Sequence, residues 1–176
     1  VVSAQHTAVV RVLHEFCVEA GAAPSDVVLE ARAPGGASSS RPGDLCWRFF
    51  HANRHLYVDV TIAGVFLSGS PWQTPGGAAA AAEARKRGRP AAAELLAGGH
   101  EFVPFAVEEC GRLGACAHRL LRELARRAAG RRSPGGDGSA GEVSAVLAGW
   151  FARLSTCVHS RLAWAVRLAL DGRVMG

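Results

Sequence analysis

The chain has 176 residues, 49% hydrophobic and 20% charged, which is one domain's length and excludes both a disordered polyelectrolyte and a coiled coil. Its formal charge of +5 favours a polyanionic partner over an acidic substrate. No apolar run approaches the ~18 residues that cross a bilayer, and no charged segment followed by an apolar stretch opens the chain, so neither a membrane partner nor a secretory signal is expected.

Val9, Val10, Leu13, Phe16, Cys17 and Ala20 recur at three- and four-residue steps, which predicts an amphipathic helix from Thr7 to Ala20, ended by Gly21. A first strand follows at Val27–Ala31, then a loop through Pro34-Gly35-Gly36 and three serines. Leu45–Phe50 and Leu56–Ile62 are apolar and β-prone, and His51-Ala52-Asn53-Arg54 between them has hairpin length and composition. Trp47, Phe49 and Phe50 read as core, because they follow the strand period rather than forming a base-stacking platform.

Ser68–Gly77 reads as a loop, and Ala78–Ala97 as a helix interrupted at Gly88 and Pro90. Glu101–Val107 is a further strand, with Pro104 pointing to an edge or irregular position. Leu113, Ala117, Leu120, Leu121, Leu124, Ala125 and Ala128 trace another helix face. Residues 130–141 read as a flexible linker, and Val143 to Val166 as a long apolar-striped helix within a tail spanning 142–176. The order is αβββαβ plus a helical tail: an α/β (α+β) architecture with a mixed central sheet flanked by helices, the core occupying 1–129.

The 19 arginines and 33 alanines against one lysine, Lys86, reflect GC-rich coding, so alanine runs carry little structural meaning. Five scattered cysteines without a CxxC pair argue against a disulfide framework or a zinc ribbon and suit a reducing, intracellular compartment. Cys46, His51 and His55 have metal-ligand spacing but lack a fourth ligand, and read as coincidence.

The hairpin carries the candidate chemistry. Asp44 precedes its first strand and Asp59 lies inside the second, where the ladder brings residue 44 opposite 59, 60 or 61. Two carboxylates this close repel unless a proton or metal compensates, and Mg²⁺ takes one or two protein carboxylates plus phosphate and water oxygens. Thr61 shares a strand face with Asp59. Glu30, Glu108 and Glu109 are candidates for a third carboxylate. Taken singly, each residue also has an ordinary reading: Asp44 as a turn residue, Asp59 on an exposed sheet face, and Arg85-Lys86-Arg87-Gly88-Arg89 as a solvated helix face.

Taken in order, Arg41-Pro42-Gly43-Asp44, Val58-Asp59-Val60, Glu83 to Arg89 and Phe102-Val103-Pro104-Phe105-Ala106-Val107-Glu108 resemble the restriction-enzyme-like endonuclease region at the C-terminal end of some non-LTR retrotransposon reverse transcriptases. That region is similar in turn to the PD-(D/E)XK nuclease superfamily, and the resemblance covers about Gln5 to Ala129. It implies that Asp44 and Asp59 bind Mg²⁺ or Mn²⁺ and that Lys86 supplies the lysine these members carry on the following helix, Thr61 standing at the usual strand position. The second lysine of that helix corresponds to Arg89 and the tyrosine to Pro90, a residue expected to distort the helix supporting the site. Arg85, Arg87 and Arg89 would contact DNA phosphates.

The resemblance further implies a nuclear protein that nicks target DNA for retrotransposon insertion, with the reverse transcriptase of the same polypeptide as partner. A chain opening at Val1 is expected to be a piece of that longer protein. The alternative reading is a nuclease-fold domain that binds DNA or the reverse transcriptase without cutting. A third is a helical interaction module on Val143–Leu170.

Overall fold

The computed structural model describes residues 4–30, 42–64, 74–133 and 138–174, with side chains in the last helix described as far as His159. The expected loop before the hairpin, most of the expected Ser68–Gly77 loop after it and part of the expected linker therefore fall outside the described residues, at 31–41, 65–73 and 134–137.

Helix α1 (Ala4–Glu19) buries Val9, Val10, Leu13, Phe16 and Cys17, the face its periodicity defines. Gly21, at φ +112°, turns the chain out of the helix. A 3-10 turn at Pro24–Asp26 leads into β1 (Val27–Leu29). This strand is shorter than the expected Val27–Ala31, because Glu30 adopts φ +54° and donates its N–H to the Asp44 carbonyl at 2.8 Å.

Strands β2 (Leu45–His51) and β3 (Arg54–Ala63) form the antiparallel hairpin, with Leu45 opposite Val58 and Trp47 opposite Leu56. Between Trp47 and His51 the register shifts, so that His51 faces Arg54. Phe49, at φ +57°, is the residue thrown out by this bulge. The expected alternation is broken there: Phe50 takes the core position and Phe49 is 61% exposed.

Beyond β3 the chain crosses over through α2 (Gly77–Arg87) and α3 (Pro90–Ala97) to β4 (Glu101–Glu108), which pairs parallel to β3. The interrupted helix is thus two helices. Gly88 caps α2, Arg89 is extended, and Pro90 occupies the first turn of α3, where a missing N–H and a preset φ are favourable. The proline starts a helix rather than distorting one, which corrects the expectation for this position.

The result is a mixed α/β fold whose described residues form a four-stranded mixed sheet in the order β1-β2-β3-β4, with β4 and its Pro104 at an edge among those residues. One sheet face carries Leu45, Trp47, Leu56, Val58, Val60, Phe105 and Val107 into the main core with α1, α4 (Ala115–Arg132) and α5 (Ala140–Val174). The other face meets α2 through Ala63 and Ala106 against Ala78, Ala79 and Ala82, and α3 through Cys46 and Tyr57 against Leu95. Helix α4 runs through Gly130 to Arg132, past the expected start of the linker. Helix α5, read from sequence as a tail, puts Val146, Trp150, Leu154 and Val158 into the same core cluster as the sheet. Its Trp150 stacks on Phe16 with ring centroids 4.3 Å apart. Among the described residues no helix is long and apolar enough to cross a membrane.

Candidate functional site

Asp44 sits at the entrance to β2 and spans the backbone of Asp59. Its N–H donates to the Val58 carbonyl at 2.9 Å, and its Oδ2 accepts the Val60 N–H at 2.7 Å. The chain can pass this close only because residue 43 is glycine, since a Cβ there would lie 2.9 Å from the Val58 carbonyl oxygen. The extra residue between Pro42 and Asp44 is therefore what lets Asp44 close onto β3.

His6 reaches the same carboxylate from the first turns of α1, with Nε2 3.0 Å from Asp44 Oδ2. Sequence reasoning missed it. The available signal was that His6 precedes Val9, Val10 and Leu13 by three, four and seven residues and so shares their inward stripe. The hydrogen bond to Asp44 holds the imidazole above its ordinary pKa. Burial alone would raise Asp44, but His6 and the Val60 amide outweigh it and hold the carboxyl below its ordinary value.

Asp59 lies on the opposite side of β3 from the Val58 and Val60 side chains, facing the crossover helices. Lys86 Nζ is 2.6 Å from its Oδ1, and Arg89 Nη1 is 3.5 Å from its Oδ2. The Lys86 and Asp59 side chains are 16% and 10% exposed, whereas Arg89 is 59% exposed. Burial raises the Asp59 carboxyl and the Asp44 charge adds to that, against the pull of Lys86 and Arg89. Asp44, Asp59 and Lys86, read from the sequence as one site, thus lie within each other's electrostatic reach, and His6 joins them.

Two buried glutamates position the helix that delivers Lys86. Glu108 accepts the Ala79 N–H near the start of α2 at 3.3 Å. Glu83, in the middle of α2, accepts the Cys116 N–H at 3.0 Å and the Ala117 N–H at 3.2 Å, filling the anion site at the N-terminus of α4. Gly114 leaves room for that carboxylate, because a Cβ there would be 2.1 Å from Glu83 Oε1. Glu108, one of the candidates for a third acid, is engaged in this scaffold. Lys86 then falls in the last turn of α2, where Arg85 and Arg87 are also favoured by the helix dipole. Arg85 and Arg87 are exposed, and Arg87 contacts the Cys116 sulfur.

Thr61, two residues beyond Asp59, has a buried hydroxyl with no hydrogen-bond partner among the described residues. On the other flank, a cavity of about 350 Å³ lined by His6, Thr7, Arg11, Glu30, Gly43 and Asp44 opens beside the carboxylate.

Cys46, His51 and His55 do not converge. Cys46 packs with Tyr57 and Leu95, His51 sits 3.2 Å from Arg127 Nη2, and His55 accepts the Phe49 N–H at 3.1 Å. Among the described residues no group of three or more His, Cys, Asp or Glu forms a metal-holding cluster. Mg²⁺ in general takes only one or two protein carboxylates and completes its shell with water and phosphate oxygens. Burial pushes the thiols of Cys17, Cys46 and Cys116 up, away from nucleophilic or redox work.

No family model, curated protein or solved structure matches this chain.

Proposed function

We propose that this chain is a PD-(D/E)XK-type, metal-dependent DNA endonuclease domain that hydrolyses a phosphodiester. One observation carries the reading: Asp44, Asp59 and Lys86 come from three separate elements to within reach of one another's charge, and the lysine arrives from the helix after β3 rather than from the strand. A structural ion pair needs only Asp59 and Lys86. The second acid bent over the same strand, at the cost of a glycine that nothing larger can replace, asks for another explanation.

The residues present fit a hard divalent ion. Two oxygen-donor side chains repel one another across β3, and among the described residues the Thr61 hydroxyl on the Asp59 strand has no partner. Asp44 and Asp59 would hold Mg²⁺ or Mn²⁺. When bound, the ion supplies Lewis-acid polarisation of the scissile phosphate and lowers the pKa of water. His6 orients the Asp44 carboxylate. Lys86, drawn from Asp59 toward substrate, neutralises charge on the phosphate and positions the attacking water. Arg89, which cannot deprotonate, serves as an exposed phosphate contact with Arg85 and Arg87.

Within a longer retroelement polypeptide such a domain would nick target DNA in the nucleus beside its reverse transcriptase. Purified protein with Mg²⁺ or Mn²⁺ is expected to nick supercoiled plasmid, and Asp59→Asn to abolish nicking. Equal nicking by the variant defeats the assignment.

A second reading is favoured by Arg89, which together with Lys86 leaves both Asp59 oxygens paired. In this reading the closed ion pair is the end state, and the domain binds DNA or the reverse transcriptase without cutting. DNA binding that weakens steeply with salt, with no metal-dependent nicking by the wild type, selects it.

A further inference from the structure

The tip of the β2–β3 hairpin holds a feature that the candidate site does not use. Had the alternation of β2 continued past Trp47, Phe49 would point into the core. The bulge instead sets Phe49 at φ +57°, a region that disfavours any residue with a Cβ and is most unusual for a bulky one. Burial does not offset that cost, because the ring is 61% exposed.

The exposed ring is nonetheless rigidly mounted. The Phe49 N–H donates to His55 Nδ1 at 3.1 Å, and the two rings meet edge to face at 5.2 Å. His55 in turn stacks on His100 at 4.8 Å with a 19° interplanar angle. The neighbouring aromatic residues are already covered, since Arg127 lies 3.9 Å over Phe50 and 5.6 Å over Trp47. Phe49 is flanked by Arg48 and Arg54, both exposed. A strained backbone, a fixed support, a bare aromatic face and two flanking cations are the components of a stacking site for a base, with guanidinium groups placed for the adjoining phosphates.

We propose that this hairpin tip binds an unpaired DNA strand, Phe49 stacking on one base and Arg48 and Arg54 meeting the phosphates beside it. The proposal rests on the DNA partner of the reading above and not on catalysis. Arg54 starts β3 five residues before Asp59, a separation of about 17 Å at ~3.3 Å per residue, or about five nucleotides of stacked strand. A single strand or flap could therefore occupy the tip while a phosphodiester lies at the acids. Within a duplex the base faces are stacked on one another, so a blunt duplex offers Phe49 only the outer faces of its two terminal base pairs.

The test is fluorescence anisotropy of the full chain with a fluorescein-labelled single-stranded oligodeoxythymidylate and with a blunt duplex, both without divalent metal so that no cutting intervenes. Phe49→Gly is expected to bind the single strand about 5- to 150-fold more weakly, and the duplex within about 3-fold of wild type. Its melting temperature should be no lower than wild type, because glycine suits the left-handed backbone. Phe49→Trp should bind the single strand at least as well as wild type. Arg48→Ala and Arg54→Ala should each lower the slope of log K against log salt by about 0.7. Single-strand affinity of Phe49→Gly within about 2-fold of wild type, or no single-strand binding by the wild type, overturns the proposal. Loss of nicking in Asp59→Asn bears only on the nuclease reading, so the two can fail separately.

Discussion

Lys86 Nζ lies 2.6 Å from Asp59 Oδ1, and the two residues arrive from elements that share no local contact along the chain: the middle of β3 and the last turn of α2. The parallel pairing of β3 with β4 makes the pair possible, because it requires a crossover, and the crossover lays α2 over the sheet face that Asp59 occupies.

Removing the lysine should expose the cost of the buried acid. Lys86→Ala leaves Asp59 with the exposed Arg89 alone and is expected to lower stability by about 3 kcal/mol, the low end for breaking a buried ion pair. Lys86→Arg should recover most of that stability through its charge, yet recover no nicking, since a guanidinium is not an ammonium in reach or in proton chemistry. Urea midpoints and plasmid nicking measured on the same preparations separate the two effects. A wild-type midpoint for Lys86→Ala would show that the pair contributes nothing.

Gly43 should tolerate no side chain. A Cβ 2.9 Å from the Val58 carbonyl must lift Asp44 away from β3, so Gly43→Ala is expected to cost about 1–3 kcal/mol and to lose metal-dependent nicking. Gly99 has φ +76° but nothing within 4 Å of its Cβ position, so Gly99→Ala is the matched control: destabilised, with nicking retained. Full nicking by Gly43→Ala would mean that Asp44 need not touch Val60.

The docking of α5 should depend on acid. Glu19 accepts the Trp150 indole N–H at 2.9 Å and the Arg153 guanidinium at 2.5 Å. Burial alone would raise its carboxyl, but these two donors outweigh it and hold Glu19 below the ordinary glutamate value. A lowered carboxyl contributes stability above its unfolded pKa, and that contribution is lost as pH falls through the folded value. Glu19→Gln should therefore melt below wild type at neutral pH by at most about 1 kcal/mol, with the gap closing once the pH drops below the glutamate range. Thermal melts of both proteins from pH 7 to pH 3 check this, and a gap that persists at acid pH would assign the effect to packing.

Much of this arrangement could be read from residue order. The inward stripes of α1 and α4, the hairpin, and the break at Gly88 and Pro90 are local patterns with local causes. Asp44, Asp59 and Lys86 stood out because an acid between two valines and a lone lysine are conspicuous in so arginine-rich a chain. What escaped depends on tertiary contact. The bulge at Phe49 is anchored by His55, six residues on and across the turn, so of the three aromatic residues read as core, Trp47 and Phe50 are buried and Phe49 is not. Glu83 has no role assigned to it from the sequence, because its partners are amides 33 and 34 residues away. Gly130 looked like a helix end, yet α4 continues because Ala128 and Ala129 are buried against neighbouring elements.

Helix α1 touches α5 at both ends. Gln5 donates to the Val158 carbonyl at 3.0 Å, and Glu19 holds Trp150 and Arg153. The residue after Gln5 is His6, the one that grips Asp44. The C-terminal helix is thus a brace for the acid on the far side of α1, although none of these contacts is to Asp44, Asp59 or Lys86. A shortened protein ending near residue 129 would keep every residue of the proposed chemistry and lose the strut that sets one of them, so any minimal version of this domain has to carry α1 and α5 together.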